Sequence, residues 1–220
     1  NQLHLHGTET LGDPTSFLTV GDFFEAWRTN GGTAGDNPNA VFNATNIMGN
    51  VPDDQHAIRM FVNGFQVDTY ESYQIHDEDD IVISYSSHPV VSLHTNQGTI
   101  LMEMLGDDAP NTVANFLDYV NDGDYDNSFI HRSMPGFILQ GGGFVTPSET
   151  FSNFNEFSEI CPGDSCPTVA NEFGVSNTLG TVAMAKLGGD PDSATSQWFV
   201  NLADNDFLDS QNGGFTVFAT

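Results

Sequence analysis

The feature that most limits how this 220-residue chain can fold is the shortness of its apolar runs. In the second half they fall at 90–94, 99–105, 129–132, 137–140, 180–185, 198–202 and 216–219. Gly, Asn, Asp, Pro and Ser stand between them. One helical pattern, 110–121, comes early, with Pro110 in its first turn and Asp122-Gly123 at its end. Val113, Phe116, Leu117 and Val120 mark its expected buried face. Many short strands with a single early helix predict a mainly β fold with some α, closing into a barrel. No run approaches the ~20 residues of a membrane-spanning helix, so no membrane insertion is expected.

A break in pattern falls at Ser86-Ser87-His88-Pro89, small polar residues and a proline between two apolar runs. It predicts two domains, a small α/β domain over 1–87 and a larger one over 88–220. In the first, 2–6 alternates like a strand and 19–30 reads as a helix. Thr19 can cap it, Val20, Phe23, Phe24 and Trp27 form its apolar face, and Gly31-Gly32 ends it. Residues 58–62 and 65–67 are strands around Asn63-Gly64, a hairpin turn signal. A last strand, 81–85, follows the acidic turn 77–80. Phe61-Val62-Asn63-Gly64, Tyr73-Gln74-Ile75 and Asp79-Asp80-Ile81-Val82-Ile83 resemble small β-grasp domains. Sulfur carriers of that class end in a free Gly-Gly tail. Here the chain runs on, so a carrier role is set aside.

Charge narrows the function. Four basic residues against thirty acidic ones give −26, and charged residues make up only 15% of the chain, because Lys and Arg are missing. Such a surface repels phosphate backbones and anionic lipid heads, so no nucleic-acid partner is expected. It suits a salty or divalent-rich exterior, where screening relieves self-repulsion. The four cations are Arg28, Arg59, Arg132 and Lys186, and where so few sit is informative. Cys161 and Cys166 flank a Pro-Gly turn. A disulfide and an oxidising compartment are the leading reading, with half of a zinc site as the alternative. His4 and His6 share a strand face, a spacing that can hold Cu or Zn, but two ligands make a weak signal and no metal site is assigned. Asp122, Asp124 and Asp126 imitate the start of a calcium loop without its Gly and closing Glu, and read as a solvated turn. Asn43-Ala44-Thr45 is a glycosylation sequon, meaningful if the chain is exported.

Three ordered segments carry a more specific pattern. The first runs from Phe129-Ile130-His131-Arg132 through Pro135-Gly136-Phe137-Ile138-Leu139-Gln140-Gly141-Gly142. The second joins Val182-Ala183-Met184-Ala185-Lys186 to Ser196-Gln197-Trp198-Phe199-Val200-Asn201. The third is Asp206-Phe207-Leu208-Asp209 with Phe215-Thr216-Val217-Phe218. From residue 90 onward the chain resembles cyclophilin-type peptidyl-prolyl cis/trans isomerases, most closely the secreted bacterial branch. The resemblance implies a cyclophilin-like β-barrel and an enzyme acting on polypeptides that contain Xaa-Pro bonds. It places the catalytic arginine on Arg132, and a proline pocket on Phe137, Ile138, Phe199, Leu208 and Phe215. Gln140 falls beside the substrate backbone, and Ala185, Gln197 and Phe207 on the binding rim. Ile138 stands where Met is common, Phe215 where many members carry His, and Ala219 where Gly is usual. The family continues for about another helix and strand, so the barrel is expected to be incomplete at its C-terminus and the sequence to be part of a longer protein. His131 reads as a structural hydrogen-bonding residue, and Lys186 as part of the rim.

This chemistry needs no cofactor. The peptide bond resists rotation by ~18–20 kcal/mol because nitrogen shares its lone pair with the carbonyl. Catalysis requires the twisted amide to be bound better than either planar form. A guanidinium aimed at the proline nitrogen stabilises the lone pair that twisting localises. The leading expectation is therefore an exported (extracellular or periplasmic) isomerase. The alternative is a structural or adhesive extracellular protein using the same domain as a binding module. Membership of a homo-oligomer or a larger extracellular assembly stays open.

Overall fold

The computed structural model describes residues 2–6 as backbone, and 18–29, 37–53, 56–147, 156–163 and 165–220 with side chains. Contacts divide the chain into two units, Asn1–Met102 and Glu103–Thr220. The division falls beyond the Ser86–Pro89 break.

The first unit contains β1 (Gln2–His6), α1 (Val20–Thr29), β2 (Phe42–Asn43), β3 (Asn46–Ile47), β4 (Ala57–Val62), β5 (Phe65–Val67), β6 (Asp80–Ser86), β7 (Val90–Thr95) and the start of β8 (Gly98–Glu103). An antiparallel sheet runs β1-β6-β4-β5. Asn63 and Gly64, at φ 51° and 83°, make the β4–β5 turn, the positive-φ pair that matches strand twist. Ile58, Met60 and Val62 of β4 and Ile81 and Ile83 of β6 bury with Val20 and Phe24 of α1. The helix caps itself: Asp22 N–H donates to Thr19 Oγ1 at 3.1 Å, and Thr19 N–H to Asp22 Oδ2 at 2.9 Å, a reciprocal cap. Phe23 and Trp27 pack against this core half-buried. The expected Gly31-Gly32 stop lies outside the described residues, as do the side chains of His4 and His6. The β7–β8 hairpin, assigned to the second domain by the sequence pattern, hydrogen-bonds to the β4–β5 turn: Ser92 Oγ donates to Gly64 O at 2.8 Å. The β-grasp likeness rests on sequence alone.

The second unit contains α2 (Pro110–Asp122), β9 (Arg132–Met134), β10 (Ile138–Gly141), β11 (Phe144–Val145), β12 (Ser158–Glu159), β13 (Val182–Met184), β14 (Trp198–Asn201) and β15 (Val217–Ala219). Its main sheet runs β15-β13-β14-β10-β9, antiparallel throughout. The barrel was expected to be incomplete, and among the described residues no closed barrel forms: the sheet is open. Residues 103–105 cover the outer edge of β15 through Glu103 N–H to Thr220 O and Leu105 N–H to Phe218 O, and no strand pairing joins β15 to β9.

The buried face of α2 also departs from expectation. Val113 and Phe116 are buried, but so are Thr112 and Tyr119, while Leu117 and Val120 are half-buried. Two polar partners explain this. The Tyr119 hydroxyl donates to Cys161 Sγ at 3.3 Å. Thr112 donates through its N–H and its hydroxyl to Glu172 Oε2, at 2.7 and 2.8 Å. Asn111 donates twice to Glu172 Oε1. Glu172 thus caps the helix from a distant loop and supplies the negative charge an N-terminus favours. Burial works to raise its carboxyl pKa, but the bonds from Thr112 and Asn111 win and hold it below the usual value. Cys161 and Cys166 form a disulfide with Cα atoms 5.7 Å apart, which sets the half-zinc alternative aside.

Candidate active site

The strand registers assemble the site from distant parts of the sequence. Arg132 pairs with Gln140, Gln140 with Phe199, Phe199 with Ala183, and Ala183 with Val217. Directly paired residues point to the same face of a sheet. One row therefore crosses five strands, polar at the β9 edge and apolar beyond. Ile138, two residues from Gln140, joins the same face.

The apolar end is a compact cluster. Ile138, Ala183, Phe199, Leu208 and Val217 are buried, and Phe137, Ala185 and Phe215 pack on them half-buried. Phe199 and Phe215 meet edge to face with centroids 5.8 Å apart. Phe137 stacks on Phe207 at 5.7 Å, and Phe207 remains 47% exposed. Buried residues make the floor, and the half-buried rings make a wall that a small apolar group can reach.

The polar end is anchored to that wall. The Arg132 guanidinium carbon lies 5.9 Å from the Phe137 ring centroid, within cation–π range. Arg132 Nη1 donates to Gln140 Oε1 at 3.2 Å, and Nη2 to Met134 Sδ at 3.0 Å. Gln140 Nε2 donates to Gln197 Oε1 at 2.9 Å. All ten site positions implied by the resemblance thus fall in this row, the cluster packed on it, or the contacts that leave it. Met134 was not among them.

Sequence reasoning also missed what holds the site. Gly141, Gly142 and Gly143 let β10 pass close to its neighbours. At Gly142, with φ +71°, a Cβ would lie 2.5 Å from Ser196 O and 2.7 Å from the Trp198 ring. Asn177, Asn201 and Asn205 form a buried chain. Asn205 Nδ2 donates to Phe137 O and Asn201 Oδ1, Asn201 Nδ2 to Asn177 Oδ1 and Thr181 Oγ1, and Asn177 Nδ2 to Phe215 O and Asp209 Oδ1. It pins the backbones of two site phenylalanines. Lys186 is more than rim. Its ammonium lies 5.0 Å from the Phe215 centroid and donates to Asn171 Oδ1 and Gly214 O. Burial pulls its pKa below the usual lysine value.

The placement of the four cations is telling. Arg28 pairs with Glu25, and Arg59 donates to Ser86 O and His88 O. Arg132 and Lys186, the only cations from residue 103 onward, both stand over site phenylalanines. Among the described residues no three His, Cys, Asp or Glu side chains group in a way that could hold a metal ion, and no helix is long and apolar enough to cross a membrane.

From residue 90 onward the chain is similar to known proteins. The family described as cyclophilin type peptidyl-prolyl cis-trans isomerase/CLD matches residues 90–220. Peptidyl-prolyl cis-trans isomerase B of Escherichia coli (strain K12) is 41% identical over 135 residues, covering 59% of this chain and 76% of that protein. A peptidyl-prolyl cis-trans isomerase of Acinetobacter baylyi is 39% identical over 136 residues, 60% of this chain and 65% of that one. One from Streptomyces antibioticus is 42% identical over 135 residues, 58% of this chain and 74% of that one.

Proposed function

Since this chain belongs to the cyclophilin-type peptidyl-prolyl cis-trans isomerases, and so is a peptidyl-prolyl isomerase, we propose that Arg132 is the group that lowers the rotation barrier of its Xaa-Pro substrates, and that it works outside the cytoplasm. One observation carries the reading of the site: the guanidinium sits against Phe137, tied to Gln140, where the sheet face changes from polar to apolar.

The mechanism follows from the chemistry of the amide. The proline ring enters the apolar cluster and is gripped by Phe137, Phe199 and Phe215 above Ile138 and Leu208. Phe207 and Ala185 border the chain on either side, and Gln140 and Gln197 hold the neighbouring carbonyl. As the acyl side turns, conjugation is lost and the lone pair localises on the proline nitrogen. Arg132 donates to it. The planar amide offers no such acceptor, so the interaction strengthens only at the twisted geometry. A million-fold acceleration asks for ~8 kcal/mol. A charged donor in a dry cleft, with the ring held fixed, supplies terms of that order.

The domain over 88–220 is read as the catalytic one and 1–87 as its accessory. Export is supported by the Cys161–Cys166 disulfide, a bond of oxidising compartments, and by the charge of −26. The test is an isomerisation assay on an Xaa-Pro peptide, comparing the chain with Arg132→Ala. The expected loss in kcat/KM is about a hundredfold or more, with unchanged circular dichroism. A folded wild type without activity would point to the binding-module alternative.

A further inference from the structure

A lysine ammonium carries three donors and no acceptor, and in a chain with thirty acidic residues it would ordinarily meet a carboxylate. Lys186 does not. Among the described residues it forms no salt bridge. Its Nζ donates instead to three carbonyl oxygens: Asn171 Oδ1 at 3.0 Å, Pro191 O at 3.4 Å, and Gly214 O. The same ammonium stands over the Phe215 ring, 5.0 Å from its centroid, within cation–π range.

The segment it grips cannot hold itself. Asn212, Gly213 and Gly214 all take positive φ, at 49°, 79° and 80°. Two consecutive glycines have no side chains to pack and lose the most freedom on ordering. Their anchors come from elsewhere in the chain. Asn171 Nδ2 donates to Gly213 O at 2.7 Å, Lys186 to Gly214 O, and Asn177 Nδ2 to Phe215 O at 3.0 Å. Thr216 Oγ1 donates at 2.9 Å to Asn171 Oδ1, the oxygen that also accepts from Lys186. Asn212 ties the segment to the loop after Lys186: its Nδ2 donates to Leu187 O, and its Oδ1 accepts from Gly189 N–H. Within this set Lys186 meets both the carbonyl that precedes Phe215 and the face of the Phe215 ring.

We propose that Lys186 is a positioning residue: its ammonium, fixed by three carbonyl oxygens, holds the Phe215 ring in place as a wall of the proline pocket. The inference rests on Phe215 lining that pocket. A neutral side chain would leave Gly214 O without this donor and the ring without a cation at its face. Phe215 would then gain freedom to swing from its edge-to-face contact with Phe199. A proline ring would meet a wall that has to be ordered on binding, which weakens binding.

The test is a double-mutant cycle on kcat/KM for an Xaa-Pro peptide, read by NMR exchange on the full chain at neutral pH. It compares the wild type, Lys186→Met, Phe215→Ala and the double variant. Met keeps the length of the side chain and loses the charge. Lys186→Met alone should lower kcat/KM about tenfold, the scale of one hydrogen bond to a charged group, with most of the loss in KM. In the Phe215→Ala background the same change should cost about twofold or less, because the residue it acts through is gone. Equal losses in both backgrounds overturn the inference, since a lysine that only stabilises the fold gives that result. So does a Lys186→Met variant as active as the wild type. If Lys186→Met fails to fold by circular dichroism, Lys186→Gln takes its place under the same criteria. The wild type also carries a reading that needs no variant. A nuclear Overhauser contact is expected between the Lys186 Hε protons and the Phe215 ring, and its absence overturns the inference. Phe215→Ala with wild-type activity removes Phe215 from the pocket, and the inference falls with it. A folded wild type without activity overturns the isomerase reading itself, a distinguishable result.

Discussion

The two helices solve the same problem differently. Each begins with orphan N–H groups that need acceptors. α1 finds its acceptor in Thr19, three residues from the Asp22 it serves. α2 finds its acceptor in Glu172, sixty residues beyond Thr112. The contrast extends through both units. In the first, the central strands β4 and β6 run six and seven residues, and the α1 cap and the β4–β5 turn are closed by near neighbours. In the second, strands are two to four residues long, and side chains from distant loops complete what the backbone ladders leave open. Short strands free more of the chain for loops, and those loops carry Phe137, Phe207 and Phe215. The second unit gives up local closure and gains a place to bind.

That contrast can be broken by substitution, and the largest expected effect is at Asn201. Asn201→Leu leaves Asn177, Asn205 and Thr181 with buried groups unpaired. It should destabilise the protein by about 3 kcal/mol in urea unfolding, since each buried orphan costs roughly 1–3 kcal/mol. A loss under about 1 kcal/mol would mean the buried chain is not what holds the loops. In the first unit the counterpart is Asp79, a buried carboxylate that accepts from His76 N–H, Tyr73 and Asn63 at 2.7, 3.0 and 3.0 Å. Asp79→Asn should cost about 2 kcal/mol. Burial works to raise the Asp79 pKa, but these bonds win and lower it. Its contribution to stability is therefore present above the unfolded value and lost as pH falls through the folded one. Tyr73 closes the alkaline side: burial first, then Asp79, push its pKa up to about 12. Its contribution is present below the unfolded value and lost as pH rises through the folded one. Titration of the tyrosine absorbance checks this.

Smaller effects sharpen the comparison. Glu172→Gln keeps the shape of the α2 cap but removes its charge, and should cost about 1 kcal/mol. The loss should be largest near neutral pH and shrink in acid, because wild-type Glu172 is itself protonated there. Thr19→Ala should cost about as much with its damage confined to α1, and hydrogen exchange separates the two. The smallest effect is expected at Phe207. Its ring is 47% exposed and stacks on Phe137 alone among the ring contacts described. Phe207→Ala should raise KM about threefold with little change in kcat, as befits binding shared by ground and transition states.

The same contrast decides what could be read from the sequence. The Thr19 cap and the Asn63-Gly64 turn are legible because every partner lies within a few residues. Arg132, Phe137, Ile138 and Gln140 are legible because one hairpin presents them as a contiguous motif, and Phe199 because Gln197 and Trp198 flank it in another. The apolar runs of β4 and β6 give the first core directly. Glu172 is invisible: nothing near residue 172 says that a helix starting at 110 lacks a cap. Thr112 and Tyr119 look like surface residues, and their burial depends on acceptors that only the fold delivers. Lys186 could be placed at the rim, but its grip on Gly214 O depends on a turn far along the chain. The barrel was expected from strand number, whereas closure depends on which edges meet.

The three glycines at and just after the end of β10 bear on how this protein can change over generations. A first side chain at Gly142 meets the Ser196 carbonyl and the indole of Trp198 together, and neither can withdraw without moving Gln197 between them. No single step away from glycine is smooth there, and a second mutation would have to come first. Phe207 is under no such restraint. Lineages descending from this chain should therefore diversify around the exposed Phe207 while Gly142 stays unaltered, so that new substrate preferences arise at the edge of an old mechanism.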